Sequence, residues 1–183
     1  MQFTLASLLA AAALASANSI TFVSQDNTDR TVYFTSNPGS EELPSVTVPA
    51  GSTQKVEFPY GWAGNYYSVS AGADNVPGML GEVNFNAWGD LNFFDVSAIV
   101  NPADHDGVQE IYPAGSKQPV SGCGLFPCNN AYYNPDDVQT KSTTEPDLIT
   151  TLGRASDLDS RDLHKADEMP TFKRDFVVKK WVN

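Results

Sequence analysis

Short runs in which apolar and polar residues alternate recur along the chain. They are Ile20-Thr21-Phe22-Val23, Thr31-Val32-Tyr33-Phe34, Val46-Thr47-Val48, Lys55-Val56-Glu57-Phe58, Tyr66-Tyr67-Ser68-Val69, Glu82-Val83-Asn84-Phe85 and Phe93-Phe94-Asp95-Val96. A period of two places successive side chains on opposite faces of a strand. Turn formers separate the runs: Asp26-Asn27, Asn37-Pro38-Gly39-Ser40, Pro49-Ala50-Gly51-Ser52 and Pro59-Tyr60-Gly61. Before Arg154 no stretch holds a helical period long enough for a helix. The pattern predicts an all-β chain folded as a β-sandwich.

The two ends break this pattern. Met1 to Ala17 is apolar through its middle and closes on Ala15-Ser16-Ala17. That is the form of a secretory signal peptide cut after Ala17, although no Lys or Arg precedes the apolar stretch. The stretch is shorter than the ~20 residues a membrane-spanning helix needs. From Arg154 onward both charge signs crowd together, so the domain is expected to span residues 18–153 and a flexible, mixed-charge tail residues 154–183. A short helix through Leu158, Leu163 and Ala166 is the other reading of the tail. Lys173-Arg174 is a dibasic pair of the kind a secretory-pathway protease cuts, and equally a chance feature of a charged tail.

Composition sharpens the picture. Hydrophobic residues make up 41% and charged residues 18%, which excludes a disordered chain and a membrane-embedded one. Residues 18–153 hold four basic groups (Arg30, Lys55, Lys117, Lys141) against sixteen acidic ones. Such a surface repels phosphate backbones and anionic lipid, so neither nucleic acid nor membrane is an expected partner. Cys123 and Cys128 are close enough to pair in an oxidising compartment, and two thiols with no nearby His do not make a metal site. Asp104-His105-Asp106 with Glu110 clusters oxygen ligands, but its spacing is not that of a calcium loop, and a solvated acidic loop is the preferred reading. No cofactor or metal is expected, and the protein is expected to be a monomer.

Three segments resemble the thaumatin-like family in the family's own order. Leu80-Gly81-Glu82-Val83-Asn84-Phe85 through Asp90-Leu91-Asn92-Phe93-Phe94-Asp95-Val96-Ser97 is similar to its T-L-A-E-F strand followed by D-F-Y-D-[IV]-S. Cys128-Asn129-Asn130-Ala131-Tyr132-Tyr133-Asn134-Pro135-Asp136-Asp137 resembles C-P-x-A-Y-S-Y-x-x-D-D, and Ile20 to Asp26 resembles the opening strand. The departures are the small cysteine count, a disulfide-rich insert reduced to almost nothing between Pro113 and Cys128, and no match for the family's cleft Arg. The chain looks most like small secreted thaumatin-like proteins of filamentous fungi, some described as antigenic and associated with conidia and the cell wall.

The resemblance implies a flattened sandwich with an acidic cleft. Glu82 and Asp95 match two of the cleft acids, and Asp106, or its neighbour Asp104, is the counterpart of a third. Carboxylates hydrogen-bond sugar hydroxyls and aromatic rings pack on sugar faces, so Glu82, Asp95, Asp106, Tyr66 and Trp88 are the candidate carbohydrate contacts. Trp62 and Tyr67 are available for the same job, with core packing the ordinary alternative for all four rings. The implied function is binding of β-1,3-glucan in the fungal wall or spore surface, serving wall assembly or germination. A surface adhesin, allergen or effector that engages host proteins is an alternative. A weak endo-β-1,3-glucanase using Glu82 and Asp95 is another, which requires two carboxyls set apart by ~5–5.5 Å or ~6.5–9.5 Å. His105 has no nucleophile motif around it to build a triad.

Overall fold

The computed structural model describes residues 18–155. Within them, eleven strands form two sheets: β1 (Asn18–Ser24), β2 (Arg30–Ser36), β3 (Val46–Val48), β4 (Thr53–Phe58), β5 (Ala63–Ser70), β6 (Leu80–Asn84), β7 (Asn92–Ser97), β8 (Val108–Pro113), β9 (Ser121–Gly122), β10 (Lys141–Thr143) and β11 (Asp147–Leu152). One sheet runs β4-β1-β11-β8-β9 and the other β10-β7-β6-β5-β2-β3. The predicted β-sandwich is the observed architecture. The expected leader with Ala17, and the Lys173-Arg174 pair, lie outside the described residues.

All seven alternating runs fall on β1 to β7. The last four strands are not marked in the same way. β11 lies beside β1 in parallel and beside β8 in antiparallel, at the centre of its sheet. Its inward residues are Leu148, Thr150 and Leu152, all fully buried. A threonine in the middle of that inward row breaks the apolar signal, so the strand escapes a reading by alternation.

Aromatic side chains fill the space between the sheets. Phe22 meets Tyr66 edge to face at 5.1 Å, and Phe58 meets Trp62 at 4.9 Å. Tyr66 is 0% exposed, and its hydroxyl crosses from β5 to the Thr150 hydroxyl on β11. Burial holds that phenol well above the ordinary tyrosine range, so it stays a neutral hydrogen-bonding group. Its ring packs against Gly81 of β6, where an added Cβ would sit 2.3 Å from Tyr66 Cζ.

Arg30 is buried at the start of β2, paired with Asp26 through both terminal nitrogens at 2.7 and 2.8 Å. Its Nε donates to the Asp106 carbonyl at 3.0 Å, which ties the loop after β7 to the opposite end of the chain. A Cys123–Cys128 disulfide closes the loop after β9, and Phe126 inside that loop is buried. So short a loop contributes about 2 kcal/mol by loop-closure entropy. The packed sheets, rather than this bridge, hold the domain.

Gly81→Ala is expected to lower unfolding free energy by about 1–3 kcal/mol, because the methyl group enters space that Tyr66 occupies. Gly124→Ala, where an added Cβ meets nothing within 4 Å, is expected to leave it nearly unchanged. Urea denaturation midpoints of the two variants check this.

Candidate functional site

Because Tyr66, Val83 and Phe94 point into the sandwich, their neighbours Asn65, Glu82 and Asp95 point out of it. The register then lines them up. Asn65 on β5 is directly opposite Glu82 on β6, and Glu82 is directly opposite Asp95 on β7. Thr140, just before β10, extends the row by donating its hydroxyl to Asp95 Oδ2 at 3.0 Å. The outcome is one polar side chain per strand, running across the outer face of the six-stranded sheet.

This row forms the floor of an open groove of about 300 Å³. Asn37 and Asn84 add amides to its walls, and Phe93 adds an apolar flank. The β7–β10 side is fixed by the segment after the disulfide. Tyr132 exchanges backbone hydrogen bonds with Val96 and Ala98 at 2.9 and 2.7 Å, and its hydroxyl meets Thr140 Oγ1 at 2.8 Å. Tyr132–Thr140–Asp95 is therefore a continuous hydrogen-bonded chain leading into the groove.

Asp95 is the unusual group. It is only 8% exposed, and its Oδ1 has no hydrogen-bond donor. Burial, followed by the charge of Glu82 and a carboxyl–carboxyl contact with it, pushes Asp95 up to about 7. Thr140 and the charge of Lys141 pull the other way and are outweighed. Like charges opposite one another in a sheet repel, and a buried carboxylate without partners is costly, so the pair favours holding a proton. Among the described residues none of the groove-lining side chains is basic.

The other expected site residues lie elsewhere. Tyr66 is a correction: its ring is closed inside the core and meets Thr150 there, out of reach of any ligand. Trp62 is buried as well, with its Nε1 donating to the Glu41 carbonyl at 2.9 Å. Asp106 does not join Glu82 and Asp95. It is exposed in the loop before β8, with its carbonyl taken by Arg30. Nor does Asp104 complete the cluster, because its carboxylate accepts from the backbone N–H of Met79, Asp106 and Gly107 and so ties that loop together. Among the described residues no three His, Cys, Asp or Glu side chains converge as a metal site.

Trp88 is 85% exposed on a 3-10 turn (Trp88–Asp90) between β6 and β7, outside the groove lining. Exposed Tyr60 is at the same end, its hydroxyl 3.3 Å from Asp90 Oδ1. Tyr67 faces outward, stacked on Tyr33 at 5.5 Å. Asn65 and Thr140 are the residues that sequence reasoning missed. Strand alternation puts Asn65 on the outer face once Tyr66 is known to face inward, but Thr140 joins only through the return of the chain along β7.

Fold and site together define a two-layered, disulfide-bridged β-sandwich that carries an acidic groove on the outside of its larger sheet. No family model matches the chain. It is 56% identical over 138 residues to antigenic protein SchS21 of Stachybotrys chartarum, a match covering 75% of this chain and 96% of that protein. The chain belongs to the family of that antigenic protein. Its fold is shared with the protein elicitor MoHrip2 of Magnaporthe oryzae, at a TM-score of 0.54 and 16% identity, over 74% of this chain and 98% of that one. Among the described residues no helix is long and apolar enough to cross a membrane.

Because Asp95 binds its proton more tightly folded than unfolded, its contribution to stability falls as pH rises from about 4 to about 7 and is level above that. Asp95→Asn removes this term. The melting temperature of the variant is expected to gain on the parent steadily across that window, as read by calorimetry at matched ionic strength.

Proposed function

We propose that the protein is a secreted thaumatin-like protein of the fungal surface whose acidic groove holds β-1,3-glucan of the wall. The observation that carries this reading is the row Asn65–Glu82–Asp95–Thr140, one polar side chain per strand on an open sheet face. Amide, carboxyl and hydroxyl groups in such a row offer both donors and acceptors to successive sugar hydroxyls. The relative's name, antigenic protein, supports exposure at a surface, and the disulfide fits an oxidising compartment.

Binding is favoured over hydrolysis by the contact between the two carboxyls. A glycosidase pair flanks the scissile bond at a separation of ~5 Å or more. Here the two groups touch each other, which leaves no place between them for a glycosidic oxygen. Neighbouring groups supply no third carboxyl.

A second reading, engagement of a host protein, is favoured by the exposed Tyr60 and Trp88 and by the name of the structural neighbour, a protein elicitor. Aromatic rings of this kind anchor protein interfaces. It uses the loop end of the sandwich and leaves the groove free.

Purified protein is expected to be retained on insoluble β-1,3-glucan, and the Glu82→Gln/Asp95→Asn variant to lose about tenfold or more of that affinity, since hydrogen bonds to charged groups are worth ~1.5–3 kcal/mol. No reducing ends should appear in the supernatant. Release of reducing ends that is abolished in Glu82→Gln would replace binding with catalysis. Absence of glucan retention, with host-surface binding that disappears in Trp88→Ala, would favour the second reading.

A further inference from the structure

The groove holds a charge conflict that its own residues relieve only by retaining a proton. Glu82 and Asp95 face each other directly across two antiparallel strands. Asp95 is nearly closed off from solvent, yet its Oδ1 receives no donor. Buried carboxylates are ordinarily satisfied by a cation or by several N–H groups. The basic residues of the described chain are engaged elsewhere or stand off. Arg30 is locked to Asp26, Arg154 follows β11 with its backbone N–H on the same Asp26, Lys55 lies between Glu57 and Asp147, and Lys117 sits over the Tyr112 ring at 5.7 Å. Lys141, on the neighbouring strand, is opposite Phe94 rather than Asp95 and makes no ion pair with Asp95.

A divalent metal is a poor answer to that conflict. Calcium takes ~6–8 oxygen ligands, and no third carboxylate converges here. A primary ammonium fits better, because it carries three donors and a compact charge on a carbon skeleton. The remaining groove residues are neutral hydrogen-bonding groups: Asn37, Asn65, Asn84 and Thr140. They suit hydroxyl groups flanking a single positive centre. An amino sugar combines the two.

We propose that the groove is a site for a sugar bearing a free, protonated amine. The ammonium caps the Glu82–Asp95 pair from the open side of the groove, and neighbouring hydroxyls pair with Asn65 and Thr140. This rests on the reading of the groove as a sugar site, and it goes further by ranking amino sugars above neutral glucan. The ammonium takes the place of the proton the carboxyl pair otherwise holds. The other groups that act on Asp95 are Thr140, with the Tyr132 hydroxyl behind it, and Lys141 through its charge alone.

The test is isothermal titration of the full chain with three soluble oligomers of equal length: β-1,4-linked glucosamine, its N-acetylated form and β-1,3-linked glucose. An ionic strength of about 0.15 M screens charges beyond the groove. The glucosamine oligomer is expected to bind at least about tenfold more tightly than either neutral one. Glu82→Gln and Asp95→Asn are each expected to erase that preference. Glu57→Gln on β4, in the other sheet, removes the same charge and is expected to keep it. Melting curves confirm that each variant is folded. A preference that survives both groove variants would be general attraction to an acidic protein and would overturn the proposal. Equal or tighter binding of the glucose oligomer would overturn it while leaving the glucan reading intact, and no binding of any oligomer would remove both.

Discussion

The contact between the Tyr66 ring and Gly81 sets the arrangement of the outer face. Tyr66 spans the core to reach Thr150 on the opposite sheet, and only a residue without a side chain can lie beneath its ring. With that pair facing inward, strand alternation leaves no choice for the residues beside them. Asn65 and Glu82 must face out, and the β6–β7 register brings Asp95 opposite Glu82. A slip of one residue would bury Glu82 and expose the aromatic core. The groove is thus a consequence of how the core is packed.

Burial then gives the outward carboxyls their chemistry. Asp95 is covered by the segment after the disulfide, where Tyr132 is stitched to β7 and holds Thr140 in place. An exposed carboxylate in the same register would repel Glu82 only weakly through water. Covered by this segment and set beside Glu82, it keeps its proton to near neutrality. That makes the groove receptive to a hydrogen-bonding or cationic ligand in a way that a merely acidic surface is not. It also imposes an energetic cost that grows as pH rises toward 7.

Much of this was legible in the residues, and the gaps have physical causes. The alternating runs mark β1 to β7, and the motif resemblance names Glu82 and Asp95 as members of one acidic set without giving their register. Tyr66-Tyr67 shows the limit of alternation: adjacent tyrosines face opposite sides, and nothing local says which is inside. The deciding feature, Gly81, is paired with Tyr66 across two strands. Thr150 hid β11 because its hydroxyl is satisfied by Tyr66, a partner 84 residues away. Asp106 is implied as a third acid only by the motif resemblance, as the displaced counterpart of a family Asp, but Asp104 and Arg30 hold that loop away from the groove by contacts with its backbone that a motif does not reveal.

The claim on which the functional account turns is that Asp95 retains a proton because of its burial beside Glu82. A carbon-13 NMR titration of the aspartate and glutamate carboxyl resonances, assigned by Asp95→Asn and Glu82→Gln, measures it directly. The account predicts that the Asp95 resonance titrates near 7, and that Glu82→Gln moves its midpoint down. An Asp95 midpoint close to the ordinary aspartate value of 3.8, indifferent to Glu82→Gln, would contradict it.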